Sequence, residues 1–402
     1  MPVQDRGLCA ILLGLGVGWG AGNVGPVATS LTHSFGVSLA TVGLLSGTAY
    51  FAATAVATPF VVPLAARAGV VRAAAIAAAV MAAGQLLFAV SPVFAALVAA
   101  RIMVGAGAGL ALVAAPVMAR ELGGVRLLGM LGGAITLGIA VALGLGSGLA
   151  DAGATWRAGF VVSTAICALP LLVLPRSITM RPVPRPDRAF VMAALRAGKL
   201  WRLVALFVAA NGVPLIVSAW LVAFLAKEAG VRTAVAGTLA FVLFGLTTVV
   251  RPVGPRIIRG RRAFAVLAGG GLLIAAGGLA ALAASRSITV ASLAVVLMGA
   301  GFALPYAVLI DAAERLFPGK AAATLAIAQT GPNVVPIVVI PLIGSALSGR
   351  NGTWAFLILA AFVAAVAVAN LRQPPEGRPG PEPSAADDTT RRTGHSAGRS
   401  RP

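Results

Sequence analysis

Long apolar stretches alternate with short polar segments along the chain up to about residue 372. Each stretch has about 20 or more residues, enough for an α-helix to cross a bilayer core of about 30 Å. Lipid offers no partners to backbone groups, so such a stretch is expected to be helical throughout. The twelve stretches begin near Leu8, Ala40, Arg72, Val93, Leu127, Trp156, Leu203, Ala234, Ala263, Ile288, Ala321 and Thr353. The pattern predicts an all-α membrane protein with twelve transmembrane helices.

The composition agrees with a chain that lies mostly in lipid. Hydrophobic residues make up 59% of the sequence and charged residues 10%, and the mean hydropathy is +0.97, whereas soluble domains carry about 25% charged residues. Lys and Arg outnumber Asp and Glu by 31 to 11. On a soluble chain this excess would indicate nucleic-acid binding. We exclude that partner here, because basic residues collect in the cytoplasmic loops of membrane proteins.

The placement of the basic residues predicts the orientation. One side of the membrane holds only Arg157, Lys227, Arg232, Arg286 and Arg350. Most of the others lie near the termini or in the loops that lead from even-numbered to odd-numbered helices. We therefore predict a multi-pass protein of the cell inner (plasma) membrane with both termini in the cytoplasm.

Four short motifs occur twice, in the same order and 188 to 198 residues apart. They are Asn23-x-x-Pro26 with Asn211-x-x-Pro214, Gly36-Val37 with Gly230-Val231, GAG at 105–107 with GAG at 299–301, and Thr155-Trp156 with Thr353-Trp354. The matches indicate a duplicated six-helix unit and hence two pseudo-symmetric six-helix bundles. Membrane proteins built from such parallel repeats hold a substrate where the halves meet, near mid-bilayer. The duplication thus predicts transport.

Two polar segments set the remaining boundaries. The connection from Arg176 to about Arg202 contains RPVPRPDR, which favours an extended chain, and then AFVMAALRAGKLW, whose pattern predicts an interfacial helix. Residues 373–402 are rich in Pro, Gly, Ser and charge, which predicts disorder. The predicted units are an N-terminal bundle (1–175), a cytoplasmic linker with an interfacial helix (176–202), a C-terminal bundle (203–372) and a disordered cytoplasmic tail (373–402).

Residues 8–372 resemble the major facilitator superfamily. The resemblance lies in Leu97, Arg101, Gly105 and Gly107, which match that family's fourth-helix pattern, and in Trp156-Arg157-x-x-Phe160 at the start of the sixth helix. It implies transport by alternating access through a central cavity lined by helices 1, 4, 7 and 10. The opening of RPVGPRIIRGRRA and the segment PLAAR are similar to loops in the cyanate-permease and nitrate-porter branches.

The chain departs from the family pattern at two places. PLAARAGVVR has Ala66 where the family has an aspartate, and RPVGPRIIRGRRA lacks the acid too, so the usual acid-based latch is in doubt. The fifth-helix motif of antiporters is absent, because residues 126–150 contain no proline. This departure disfavours drug/proton antiport.

Arg101 is the one ionisable residue that the sequence places deep in a span. Facing lipid there would cost from roughly 3 to over 10 kcal/mol, so the side chain must face protein or water. Its forked guanidinium suits carboxylates and oxyanions, which makes it a candidate anion ligand. Gly105 and Gly109 follow at one-turn intervals and allow close helix contact, which suits a strut bonded to backbone carbonyls. Both interpretations remain open.

The other candidates for the substrate pathway are neutral side chains within the spans. They are Trp19, Asn23, Asn211, Tyr306, Gln329 and Asn333. Each is as well suited to helix bridging as to substrate contact. Prolines at 332, 336 and 341 free backbone carbonyls in the eleventh helix and predict a bendable or kinked helix there.

Charged residues at the cytoplasmic ends form a predicted gate. Asp311 and Glu314 share one helix face, and we expect basic residues after the eighth helix to pair with them when the inner gate closes. Glu121 is expected to pair likewise with Arg67 or Arg72. The predicted gate comprises Arg67, Arg72, Glu121, Arg251, Arg256, Arg259, Asp311 and Glu314.

The sequence favours a secondary transporter of a small organic or inorganic anion that works by alternating access. With no carboxylate deep in a span, we expect uniport, or symport in which the anion brings its own proton. The alternatives are proton-coupled efflux of an amphiphilic compound or drug, and a non-transporting receptor or scaffold. An enzyme is disfavoured, since the spans hold no nucleophile, metal cluster or acid pair. We expect a monomer in the lipid bilayer, without metal or cofactor.

Overall fold

The computed structural model describes residues 3–175, 188–251, 264–317, 320–349 and 351–371, and the regular elements in these ranges are all helical. Several predicted features lie outside the described residues. They are the gate residues Arg256 and Arg259, nearly all of RPVGPRIIRGRRA, the proline-rich part of the linker and the tail 373–402.

Twelve helices follow the predicted spans in order. They are α1 (Gly7–Phe35), α2 (Leu39–Phe60), α3 (Val70–Val90), α4 (Phe94–Gly124), α5 (Arg126–Asp151), α6 (Trp156–Leu172), α7 (Gly198–Glu228), α8 (Thr233–Val250), α9 (Ala265–Ala284), α10 (Ile288–Leu316), α11 (Ala323–Ser348) and α12 (Gly352–Leu371). Eleven have 18 residues or more and are apolar enough to cross a membrane. Helix α6 has 17 residues, about the minimum for a crossing.

The predicted interfacial helix is shorter in the structure. It spans Arg188–Arg196 and ends because Ala197 is extended, with ψ 113°. The next residue, Gly198, begins α7, five residues before the predicted start at Leu203. Arg202 anchors this first part of α7 by donating a hydrogen bond to the Ala369 carbonyl of α12 over 3.1 Å.

The duplication seen in the sequence is present in the backbone. Gly36 and Gly230 end the first helix of each half and are left-handed, with φ 64° and 63°, a conformation that favours glycine. The second helix of each half is tied to the fourth by a threonine at a matching position. Thr54 donates to the Gly105 carbonyl over 3.0 Å, and Thr247 donates to the Gly299 carbonyl over 3.1 Å.

The two halves meet closely at one end of the bundle. We call it the outer end, because the loops α1–α2, α5–α6, α7–α8 and α11–α12 that lie there are the ones predicted to face outward. Small residues allow the contact: a Cβ atom at Gly25 of α1 would lie 2.6 Å from the Ser218 carbonyl oxygen of α7, and one at Gly237 of α8 would overlap Ser147 of α5. We call these contacts, with those of α2 on α11, the outer closure.

Helix α11 contributes to the outer closure through a carbonyl that its own prolines leave free. Pro341 has no N–H, so the carbonyl of Ile337 lacks its partner within the helix. Thr48 of α2 donates to that carbonyl over 2.8 Å. Next to this bond, Gly47 packs on Ile340, and the Trp220 indole donates to the Ile340 carbonyl over 2.9 Å. A bond between the halves thus replaces one lost within α11.

An ion pair completes the contact at the outer end. Arg232, before α8, lies 2.6 Å from the carboxylate of Asp151 at the end of α5. The arginine side chain is 78% exposed, so the pair stabilises the closure by at most about 1 kcal/mol. The glycine contacts therefore carry more of the closure than this pair does.

We predict that Gly237→Ala weakens the outer closure. The new methyl group would overlap Ser147, and overpacking of this kind costs about 1–3 kcal/mol, enough to change a two-state equilibrium about fivefold or more. A cysteine at position 218, in a chain without the buried Cys9 and Cys167, should be labelled several times faster by an impermeant maleimide added on the outer side.

Gly245→Ala provides the matched control on the same helix. A Cβ atom there would come no closer than 3.9 Å to its nearest neighbour, Phe241, so the labelling rate should not change. Equal rates for the two variants would contradict a closure based on Gly237.

Candidate functional site

Arg101 of α4 is fully buried and joins three helices. Its guanidinium donates to the Gly20 carbonyl of α1 over 2.9 Å, to the Asn23 side-chain oxygen over 3.2 Å and to the Leu45 carbonyl of α2 over 3.3 Å. It also lies 4.7 Å from the centre of the Tyr50 ring. These contacts match those of a strut between helices.

Asn23 extends this polar group to two further helices of the N-terminal half. Its amide donates to the Gln85 side-chain oxygen of α3 over 2.9 Å and to the Ser163 hydroxyl of α6 over 3.2 Å. The Trp19 indole donates to the same hydroxyl. Trp19, Asn23 and Arg101 are all buried inside one half, so the structure does not bring these predicted pathway residues to the cavity between the halves.

A cavity of about 160 Å³ lies between the two halves. It is lined by α4 and α5 from one half and by α7, α8, α10 and α11 from the other. Its polar lining residues are Thr136, Asn211, Thr247, Arg251, Tyr306, Gln329 and Asn333. Its apolar lining residues are Leu112, Ile135, Ile139, Phe207, Pro214, Leu215, Phe244 and Pro332. The structure therefore brings together four of the predicted pathway residues, Asn211, Tyr306, Gln329 and Asn333.

Arg251 is the one charged residue in the described lining. It donates a hydrogen bond to the Asn211 side-chain oxygen over 2.9 Å, and its guanidinium carbon lies 4.3 Å from the centre of the Tyr306 ring. Its Nε–H is enclosed and has no hydrogen-bond partner among the described residues, as is also true of one terminal nitrogen of Arg101. The cavity thus holds a fixed positive charge that no described lining carboxylate balances.

The structure places Arg251 in the cavity lining. The apolar run of the eighth span stops at Val250, which is why the sequence predicts the next residue at the inner gate. Arg251 instead packs on Asn211, which is 17 residues from the outer end of α7. Arg251 is 18 residues from Thr233 at the outer end of α8, so its side chain starts at about the same depth as that of Asn211.

An arginine, an asparagine and a tyrosine meet in each half. The chain has only two tyrosines, and each lies against an arginine that donates to one of the repeated asparagines. In the N-terminal half the arginine is on the fourth helix and the tyrosine on the second. In the C-terminal half the arginine is at the end of the second helix and the tyrosine is on the fourth. The first cluster is buried, whereas the second lines the cavity.

The sequence predicts Asn211 and Tyr306 of this second cluster as pathway residues but gives no signal that Arg251 joins them. The repeat places Asn211 opposite Asn23, but Arg251 and Arg101 are 150 residues apart, far from the repeat spacing. A comparison of the halves position by position therefore does not relate them.

Most of the described gate residues lie at the inner end, the end opposite the outer closure. Arg67, Arg72, Glu121 and Glu314 are exposed, and the part of the chain that the structure describes contains no ion pair involving them. Asp311 contacts Arg315 of its own helix over 3.0 Å, with both side chains about 60% exposed, and Arg251 contacts Asn211 instead of this acidic face. The pairing expected for a closed inner gate remains a prediction.

Comparisons with known proteins are consistent with this architecture. The family model described as Major Facilitator Superfamily matches residues 10–338. No curated protein matches the chain significantly.

Solved structures match nearly the whole chain. One is a D-xylose-proton symporter, with TM-score 0.72 and 18% identity, covering 93% of this chain and 98% of that one. Another is a bacterial homologue of the human lysosomal transporter Spinster in an inward-facing, occupied conformation, with TM-score 0.71, 18% identity and coverage of 94% and 100%. A third is the inward-open xylose transporter XylE from E. coli, with TM-score 0.71, 18% identity and coverage of 94% and 97%. At these identities the matches establish the fold.

We expect Arg101→Ala to destabilise the protein strongly. The substitution leaves the carbonyls of Gly20 and Leu45 and the amide oxygen of Asn23 without their donor, and each buried unpaired acceptor costs about 1–3 kcal/mol. The midpoint of thermal unfolding in detergent should fall by several degrees.

Arg120→Ala is the control for this substitution. It removes an arginine from the same helix, but Arg120 is exposed, so its loss should shift the midpoint little. If both variants unfold at the wild-type temperature, Arg101 does not hold the helices together.

Proposed function

The chain belongs to the Major Facilitator Superfamily, and we propose that it is a secondary transporter that moves a small organic or inorganic anion across the membrane by alternating access. It transports its solute without chemical change and acts as a monomer. We further propose that it lies in the inner (plasma) membrane with both termini in the cytoplasm, so that the outer closure faces away from the cytoplasm.

The charge of Arg251 carries the proposal for an anion. The described cavity lining contains this arginine and no carboxylate. A buried cation without a counter-charge is costly, and an anionic solute would supply that charge. A guanidinium also offers several donors in one plane, which suits carboxylates and oxyanions.

The contacts between the halves support alternating access. The outer closure consists of glycine contacts, one hydrogen bond to a carbonyl freed by proline and an exposed ion pair, all of which can separate without leaving a buried charge. At mid-depth, the Thr136 and Thr248 hydroxyls lie 2.8 Å apart across the halves. We propose that the halves rock about this level, so that the outer closure opens as the inner gate pairs.

The proposed coupling follows from the same absence of acids. A proton relay through the cavity would need a titratable group, and none of the described lining residues is an Asp, Glu or His. We therefore propose uniport, or symport in which the anion brings its own proton.

Efflux of an amphiphilic compound is the second candidate, and one observation favours it. Half of the described lining residues are apolar, and they offer a hydrophobic surface to such a compound. A cationic amphiphile would, however, meet the charge of Arg251 without an acid to balance its own.

Reconstituted liposomes allow a direct test. Wild-type protein should take up small anions, and protonated uptake should lower the internal pH. Arg251→Gln should abolish the uptake with the protein still folded, whereas Arg120→Gln, which changes an exposed arginine, should not. A response to amphiphilic cations alone would support efflux. Absence of transport for both solute classes by folded protein would contradict the proposal.

The predicted inner gate can be tested independently with two substitutions that should have opposite effects on the two ends of the bundle. Asp311→Asn removes a partner of the predicted inner pairs and should favour the state that is open at the inner end. Asp151→Asn breaks the ion pair at the outer end and should favour the opposite state. In Asp311→Asn, crosslinking of a cysteine pair placed across the inner end should fall and that of a pair across the outer end should rise. In Asp151→Asn, both changes should be reversed. An unchanged crosslinking pattern in Asp311→Asn would argue against the inner gate.

A further inference from the structure

We infer that the transported anion is a monocarboxylate with an apolar body, and that its carboxylate binds Arg251 while its hydrocarbon chain points toward the outer end. This inference rests on the proposed function. It assigns the proposed anion a single negative charge and a defined direction in the cavity.

The number of positive charges limits the charge of the solute. Arg251 is the only charged side chain in the described lining. Thr54 and Thr247 are matching residues of the two halves, so the position that corresponds to Arg251 in α2 is Thr58. Thr58 is not among these lining residues and donates to the Thr54 carbonyl of its own helix. The described lining therefore offers no second cation to a dianion, and a buried unpaired charge is costly.

The part of the lining nearest the outer end is apolar. Phe244, Leu215 and Ile139 are 11 to 13 residues from the outer ends of their helices, about 17–20 Å. Arg251 and Tyr306 follow the outer ends of α8 and α10 by 18 residues each, which is about 27 Å of helix. These three apolar residues therefore lie roughly 7–10 Å nearer the outer closure than the charge.

The deeper part of the lining is mixed. Leu112 and Phe207 lie 18 and 21 residues from the outer ends of α4 and α7, so apolar side chains also lie beside the charge.

The hydroxyl groups in this region are already engaged. Thr247 donates to the carbonyls of Leu243 and Gly299. Thr248 donates to the Phe244 carbonyl, and its oxygen lies 2.8 Å from the Thr136 hydroxyl. These groups do not need a polar partner from the solute. A hydrocarbon chain fits this surface better than the hydrated oxygens of a compact inorganic anion.

Calorimetric titration of the purified full-length protein in detergent tests the inference without interference from passive membrane permeation. We would titrate the sodium salts of the straight-chain acids from formate to hexanoate. Each added methylene should lower the Kd about fourfold until the chain fills the cavity. Nitrate and phosphate should bind no better than formate.

Compounds of matched length separate charge from shape. Butyrate and succinate both have four carbons, but succinate places a second carboxylate in the apolar end, so it should bind at least tenfold more weakly. Butyramide lacks the charge and should bind as weakly to wild type as butyrate binds to Arg251→Gln.

Substitutions at Leu215 test the direction of the chain. Leu215→Asn should abolish the dependence on chain length, because it places an amide in the apolar end. The conservative Leu215→Met should keep the dependence, which excludes a general effect of substitution at this position. The thermal midpoint of each variant shows that it is folded.

The results distinguish this inference from the proposed function. A Kd independent of chain length, or tightest binding by nitrate, phosphate or succinate, would overturn the inference; if Arg251→Gln still abolished that binding, the proposed anion transport would stand. Failure of folded wild-type protein to bind any of these anions would overturn both.

Discussion

A guanidinium inside a membrane must find its hydrogen-bond partners in protein, and this requirement organises both halves of the molecule. In the N-terminal half, Arg101 meets it with the carbonyls of α1 and α2 and the side chain of Asn23. The surrounding helices are thereby fixed to one another. In the C-terminal half, Arg251 has fewer such partners, the Asn211 side chain and the face of Tyr306. Each guanidinium keeps one enclosed nitrogen without a partner among the described residues. The same three residue types thus form a buried support on one side and part of the cavity wall on the other.

The contacts between the halves have a different physical basis. Two bundles that must separate during transport cannot be held by deep polar networks, because each opening would have to break all of those bonds at once. The described contacts at the outer end are instead close approaches of backbone at glycines, together with one hydrogen bond whose acceptor carbonyl is free because of Pro341. Strong interactions lie within the halves, and weaker ones lie between them. This distribution suits two rigid bodies that rock against each other.

Much of the fold could be predicted from sequence because the bilayer fixes the length of a span. The predicted starts from Leu8 to Thr353 lie within two residues of the observed ones, except at α7, where Gly198 and the residues after it extend the helix outside the apolar run. The site was harder to predict. The partners of Arg101 include carbonyls of Gly20 and Leu45, which have no polar side chain to indicate them. Arg251 follows the last apolar residue of its run, and only the packing of α8 beside α7 shows that it reaches the cavity.

The exchange of arginine and tyrosine between the second and fourth helices has an evolutionary consequence. Asn23 and Asn211 correspond under the repeat, whereas Arg101 and Arg251 do not. The buried arginine and the arginine of the cavity wall therefore occupy different positions of the repeated unit. Selection for a new solute can therefore act on residues around Arg251 without disturbing the buried network around Arg101 on which folding depends.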